Sequence, residues 1–111
     1  MRKNKCLKDT SIESVFIVTY HYLDDACSEL LLLVATSSSN ENITSALGRI
    51  NAYLDVLGFL LEPLRFERIQ DAIKKMHFNT DNIKAVDELF SVDKRVDIKH
   101  MKMLLNTLYA H

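Results

Sequence analysis

Histidine is the residue type in this chain with the clearest capacity for metal binding or proton transfer. Zinc is held by neutral imidazole and carboxylate, and two ligands on one helix need a spacing of three or four residues. His21 and Asp25 have that spacing, and the remaining ligands would have to come from distant elements. Because a zinc site needs at least three protein ligands, we predict neither a metal site nor a cofactor.

The segment Arg95-Val96-Asp97-Ile98-Lys99-His100 places an arginine and a histidine with four residues between them. This R-x4-H pattern resembles the HEPN ribonucleases, small helical domains in which a paired arginine and histidine cleave RNA. The resemblance covers those two residues and the helical class, and Val96 stands where that family often has a polar residue. It implies, as the alternative function, a dimeric ribonuclease using Arg95 and His100. Without that role, the segment is the charged first turn of the last helix.

Other catalytic motifs are missing. The sequence contains neither G-x-x-x-x-G-K-[ST] nor G-x-G-x-x-G, the glycine-rich patterns that cradle phosphate. Cys6 and Cys27 have no C-x-x-C or other metal-type spacing. We therefore expect reduced thiols rather than a disulfide.

Helices must position these residues, because the composition is that of an all-α protein. Two glycines and one proline are too few for the many tight turns of a β protein. The apolar fraction of 48% and the charged fraction of 26% are typical of one globular domain with its own core. We predict a small helical bundle of four to five helices, with residues 1–9 as a basic flexible tail and residues 10–111 as a single helical domain.

Apolar residues at intervals of three and four mark the individual helices. A capping box at Thr10–Glu13 predicts a first helix over about residues 11–36. A polar loop with a second capping box, Ser38–Glu41, leads into helix 2, and so short a loop makes the pair an antiparallel hairpin. Pro63 restarts the chain as helix 3, and helices 4 and 5 follow.

Helix 2 is interrupted by two glycines, Gly48 and Gly58, and each costs about 1 kcal/mol of helix stability relative to alanine. We predict close packing of another helix at Gly48. At Gly58, close packing and an early end of the helix both remain open.

Acidic side chains are concentrated around the first two helices. Residues 9–62 carry eight acidic residues and one basic residue, Arg49, whereas residues 1–8 carry four basic residues. Because phosphate contacts by lysine and arginine dominate nucleic-acid affinity, nucleic acid is not the expected partner. Binding through the basic tail and helix 5 is a weaker option.

Two apolar runs are wider than one buried stripe. Residues 15–18 open helix 1 and residues 56–61 end helix 2, so the hairpin brings the two runs together. Either the later helices cover both runs, or a patch remains for a partner, since large exposed apolar patches are rare on monomers. We expect the second case, with an acidic rim that favours a basic partner. The predicted partner-binding residues are Phe16, Ile17, Tyr20, Asp24, Asp25, Phe59 and Leu60.

The leading hypothesis is a non-enzymatic helical protein-interaction module: a small regulator, a chaperone, or an antitoxin-like or immunity-type factor. It would bind a protein partner through an apolar, acid-rimmed surface of helices 1 and 2, and it would form a homodimer. The longest apolar run, Leu30–Ala35, is far shorter than the roughly 20 residues that span a bilayer. We therefore predict no membrane span and a cytoplasmic location.

Overall fold

Helices account for most of the computed structural model, which describes the backbone of residues 2–109 and the side chains of residues 12–109. The described part contains five helices and no strand. They are α1 (Arg2–Ala35), α2 (Asn40–Leu60), α3 (Pro63–Lys75), α4 (Asp81–Phe90) and α5 (Ile98–Tyr109). The predicted all-α bundle of four to five helices, built on a closely packed α1–α2 hairpin, is confirmed.

Helix α1 begins at Arg2, nine residues before the predicted start. Thr10 therefore lies within the helix and does not cap it. Residues 2–9 contain no proline or glycine, so nothing in the backbone chemistry stops the helix there. The side chains of the basic segment lie outside the described residues, and the division into a tail and a domain stays a prediction.

The α1–α2 loop is a tight reversal closed by local hydrogen bonds. Ser37 has a positive φ of 54°, and the Ser38 N–H donates a hydrogen bond of 2.9 Å to the Leu33 carbonyl. Helices often end in this way, with one residue in the left-handed conformation. The N-cap of α2 is Ser39, whose hydroxyl accepts a hydrogen bond from the Asn42 N–H at 3.2 Å. The cap thus lies one residue later than the predicted Ser38, because two loop residues are used for the reversal.

Pro63 occupies the first position of α3, as its missing N–H predicts. Helices α3 and α4 then pack on α1, while α5 packs on α2 and α4. The hairpin therefore has one face covered by later helices and one face left outside. The largest fully buried side chains include Phe16, Tyr20, Leu23 and Leu30 of α1, Leu47, Ile50, Leu54 and Leu57 of α2, and Ile69, Ile83, Met101 and Leu104 of the later helices.

Among the described residues, no helix combines enough length with enough apolar character to cross a membrane.

Candidate functional site

Three of the seven predicted partner-binding residues belong to the core. Phe16, Tyr20 and Leu60 are buried, with exposed fractions of 6% or less. The Tyr20 hydroxyl donates a hydrogen bond to the Asn79 carbonyl, and its ring centroid lies 4.3 Å from that of Phe78. Their assignment to a contact surface is therefore corrected, because the later helices and the α3–α4 segment cover the inner side of the hairpin.

The other four predicted residues remain at least partly accessible, and two of them are engaged by later helices. Ile17 is half-buried and Asp25 is exposed. Asp24 is half-buried, and its carboxylate accepts a hydrogen bond of 3.1 Å from Asn82 of α4. Phe59 is 56% exposed, and the Arg65 guanidinium carbon lies 3.7 Å from its ring centroid. That cation–π contact covers part of the ring.

Each wide apolar run is split between the core and the outside. Phe16 is buried while Val15 and Val18 are about half exposed, and Leu57 is buried while Val56 is 40% exposed. A run of consecutive apolar residues covers several sides of a helix, and the later helices take only one of those sides. The sequence therefore indicated which runs carry more apolar residues than the core can bury. Several of the residues predicted to contact a partner face the core, however, and their outward-facing neighbours are the accessible ones.

Accessible members of these runs, together with two tyrosines, lie along the outside of the hairpin. Val15, Val18 and Tyr22 recur at intervals of three and four on α1, and the half-buried Tyr53 and the exposed Val56 are three residues apart on α2. The rings of Tyr22 and Tyr53 stack across the two helices, with centroids 5.8 Å apart. Because the helices are antiparallel, the valines of both lie on the same side of that tyrosine pair. We call these five residues the outer strip.

Acidic charge accompanies the outer strip. Beyond the tyrosine pair, a shallow groove between the helices is lined by Asp25, Ala26, Glu29 and Arg49. Arg49 forms an ion pair with Glu29. Asp25 is exposed and makes no hydrogen bond or ion pair within the part of the chain that the structure describes. Since Arg49 is the one basic residue of the segment 9–62, the charge that remains at this groove is negative.

Arg95 is directed away from His100. Its guanidinium pairs with Asp93 at 2.7 Å and donates to the Thr44 hydroxyl at 3.2 Å. The His100 ring instead lies against Gly58. Thr44 and Gly58 are 14 residues apart on α2, or about 21 Å along its axis. One chain therefore does not bring the two residues of the R-x4-H pattern to a common phosphate.

His100 is instead the centre of a second cluster, between α2 and the start of α5. Its Nδ1 lies 2.8 Å from Asp97 Oδ2 and 3.2 Å from Asp55 Oδ1. The other Asp97 oxygen accepts the His100 backbone N–H at 3.2 Å, as a capping carboxylate does in the first turn of a helix. Asn51 of α2 accepts the Asp97 N–H at 2.8 Å, which fixes the start of α5 against α2.

Gly58 makes room for that imidazole. A Cβ atom at this position would lie 2.6 Å from His100 Cδ2 and 2.8 Å from Nε2. At Gly48, by contrast, a Cβ atom would meet nothing within 4 Å, so the predicted close packing at Gly48 is wrong. Of the two alternatives left open for Gly58, the structure shows close packing, because α5 crosses α2 there.

The electrostatics of the cluster favour an ionised Asp97 carboxylate. Burial raises the pKa of Asp97, but the hydrogen bond from the His100 N–H, the Asp55 carboxyl and the imidazole together outweigh it, so the net pKa lies below its usual value. Side-chain and backbone hydrogen bonds from Arg95 lower the pKa of Asp93 to about 2. Both groups are therefore acceptors for cations and N–H donors at neutral pH.

Cys27 offers no nucleophile. It is a free, fully buried thiol. Burial, and secondarily the charge of Asp24, raise the pKa of the Cys27 thiol to about 12. Because the thiolate is the reactive form, this cysteine acts as a core residue. Cys6 lies among the residues whose side chains are not described.

The His100 cluster was missed in the sequence, although part of its signal was present. Asp97-x-x-His100 has the three-residue spacing of a helical ligand pair. Its third member, Asp55, lies 45 residues before His100 and is brought there only by the packing of α5 on α2. Comparison with known protein families, curated proteins and solved structures finds no match to this chain.

Proposed function

We propose that this chain is a protein-interaction module whose outer strip binds a basic amphipathic helix of a partner protein. The observation that carries the proposal is the strip itself. Val15, Val18, Tyr22 and Val56 remain 40–55% exposed after all five helices have packed. Apolar side chains that are scattered singly need no partner, but a set at helical spacing on two adjacent helices, joined by the Tyr22–Tyr53 stack, is typical of an interaction surface.

The spacing of the strip fits a helix as the occupant. Apolar residues at intervals of three and four on neighbouring antiparallel helices form a groove into which a third helix can place its own residues of the same spacing. From Val15 to Glu29, α1 rises about 21 Å. A partner helix of about 14 residues or more would therefore cover the strip and the acidic groove beyond it.

The charge around the strip indicates that this helix is basic. Asp25 is exposed beside the tyrosine pair, and Arg49 is already paired with Glu29. Lysine or arginine side chains on the partner would meet the negative groove while its leucine-type residues cover the valines. Complementary charge of this kind chiefly affects the association rate and the selectivity between partners. A regulator or chaperone could act in this way by occupying a helix of its client.

We expect a synthetic helix of leucine and lysine, with leucines at intervals of three and four, to bind the full chain. A matched peptide with glutamate in place of lysine should bind at least about tenfold more weakly, because its negative charge is repelled by the negative charge of the groove. Substitution Val18→Arg should weaken binding of the lysine peptide by about tenfold, because it removes an apolar contact and adds a repelling charge. Fluorescence anisotropy of labelled peptides measures both effects.

Val92→Arg is the matched control, since Val92 is 92% exposed on the turn between α4 and α5. It adds the same charge and should leave binding unchanged. Equal effects of the two substitutions, or equal affinity for both peptides, would contradict the proposal.

Light scattering of the free protein tests whether a second copy of the chain covers the strip instead of a partner helix. A dimer that dissociates when Val18 is replaced by arginine would show that a second copy does so. The homodimer and the cytoplasmic location expected from the sequence stay predictions.

A further inference from the structure

The cluster of Asp55, Asp97 and His100 lies on a different side of α2 from the outer strip, against α5. Their ligand atoms, one imidazole nitrogen and two carboxylate oxygens, all lie within 4.8 Å of one another. We propose that these three side chains bind a divalent metal ion of the zinc class. This inference is independent of the proposed interaction function.

The distances are close to those of a first coordination sphere. Zinc lies about 2.0–2.2 Å from imidazole nitrogen and carboxylate oxygen, so tetrahedral ligand atoms are about 3.3 Å apart. His100 Nδ1 is 2.8 Å from Asp97 Oδ2 and 3.2 Å from Asp55 Oδ1. Each nitrogen–oxygen pair is therefore within about 0.5 Å of the separation around a tetrahedral zinc ion, and no two of the three ligand atoms are more than 4.8 Å apart.

The surroundings hold the ligands in place and leave an entry path. The second oxygen of Asp97 accepts the His100 backbone N–H, and such outer contacts orient ligating carboxylates. The imidazole lies in the space that a Cβ of residue 58 would fill. The Asp55 side chain is 66% exposed, so the ion can enter from solvent and keep a water as its fourth ligand.

The donor set selects among metals. One imidazole and two carboxylates suit zinc and its first-row neighbours, whereas magnesium requires a nearly regular octahedron of oxygen ligands. We therefore expect zinc, and cobalt as its spectroscopic substitute, to bind the full chain with one equivalent. Magnesium at the same concentration should not compete. An ion bound here would join α2 directly to α5.

Calorimetric titration with zinc alone, together with the visible absorption of added cobalt, tests the site. Asp55→Asn and His100→Ala should each weaken zinc binding by about tenfold or more, because each removes one of three ligands. Asp55 caps no helix and its side chain is exposed, so Asp55→Asn leaves the fold intact, as circular dichroism will show. His77→Ala removes an exposed histidine elsewhere and should change nothing.

Three results would overturn the proposal. The first is a wild-type chain that binds neither zinc nor cobalt, in which case His100 forms only ion pairs with the two carboxylates. The second is zinc binding that His77→Ala abolishes. The third is zinc binding that survives Asp55→Asn at full strength, because a site of two ligands is not the one described.

Discussion

Replacing Tyr20 by alanine is expected to lower the free energy of unfolding by about 3–5 kcal/mol, the range for truncation of a buried aromatic side chain. Tyr20 is 1% exposed, packs against Phe78 and donates to the Asn79 carbonyl. Urea unfolding followed by circular dichroism measures the loss. If Tyr20→Ala does not fold, Tyr20→Phe keeps the ring, and should lose about 1 kcal/mol with the hydroxyl.

Tyr22→Ala is the matched control for that experiment. Tyr22 is on the same helix but 55% exposed, and its ring stacks on that of Tyr53. Its removal should cost clearly less than that of Tyr20, because a half-exposed ring loses less buried area, in addition to about 0.5–1.5 kcal/mol for the aromatic pair. Equal losses for the two variants would show that the division between the core and the outer strip is incorrect.

The two glycines of α2 should respond differently to the same substitution. Gly48→Ala should raise the free energy of unfolding by about 1 kcal/mol, because alanine is the better helix former and its Cβ meets nothing. Gly58→Ala gains the same helix propensity but drives a Cβ into the His100 ring, and such overpacking costs about 1–3 kcal/mol. The difference between the two variants should therefore be about 1–3 kcal/mol.

Measuring that difference isolates the contact with His100, because the propensity gain is common to both variants. Thermal and urea unfolding of the two alanine variants are the required measurements. Equal stabilisation at both positions would mean that α5 does not cross α2 closely at Gly58, and the geometry of the His100 cluster would then be incorrect.

Local sequence signals predicted the helices well. The scarcity of glycine and proline, the spacing of apolar residues and Pro63 together predicted an all-α fold and the start of α3. The start of α1 was missed because a capping box is a local preference, and an uninterrupted helix overrides it when no breaker precedes it.

The distribution of exposed residues could not be predicted, because it depends on where the later helices pack. Nothing in the run 15–18 distinguishes Phe16 from Val15 until α3 and α4 cover one side of α1. The two glycines have the same local appearance, and only the crossing of α5 distinguishes them. The His100 cluster likewise joins residues 45 apart in the chain. In each case, contacts between residues that are distant in the sequence decide which side chains are buried and which lie together.

Binding of a basic helix to the outside of the α1–α2 hairpin can be followed residue by residue. Nuclear magnetic resonance of the isotope-labelled full chain, titrated with the leucine–lysine peptide, tests this binding most directly. We predict that the largest shift changes fall on Val15, Val18, Tyr22, Tyr53 and Val56, with smaller ones at Asp25 in the acidic groove. Shift changes concentrated on α3, α4 or α5, or no saturable change at any residue, would contradict the claim.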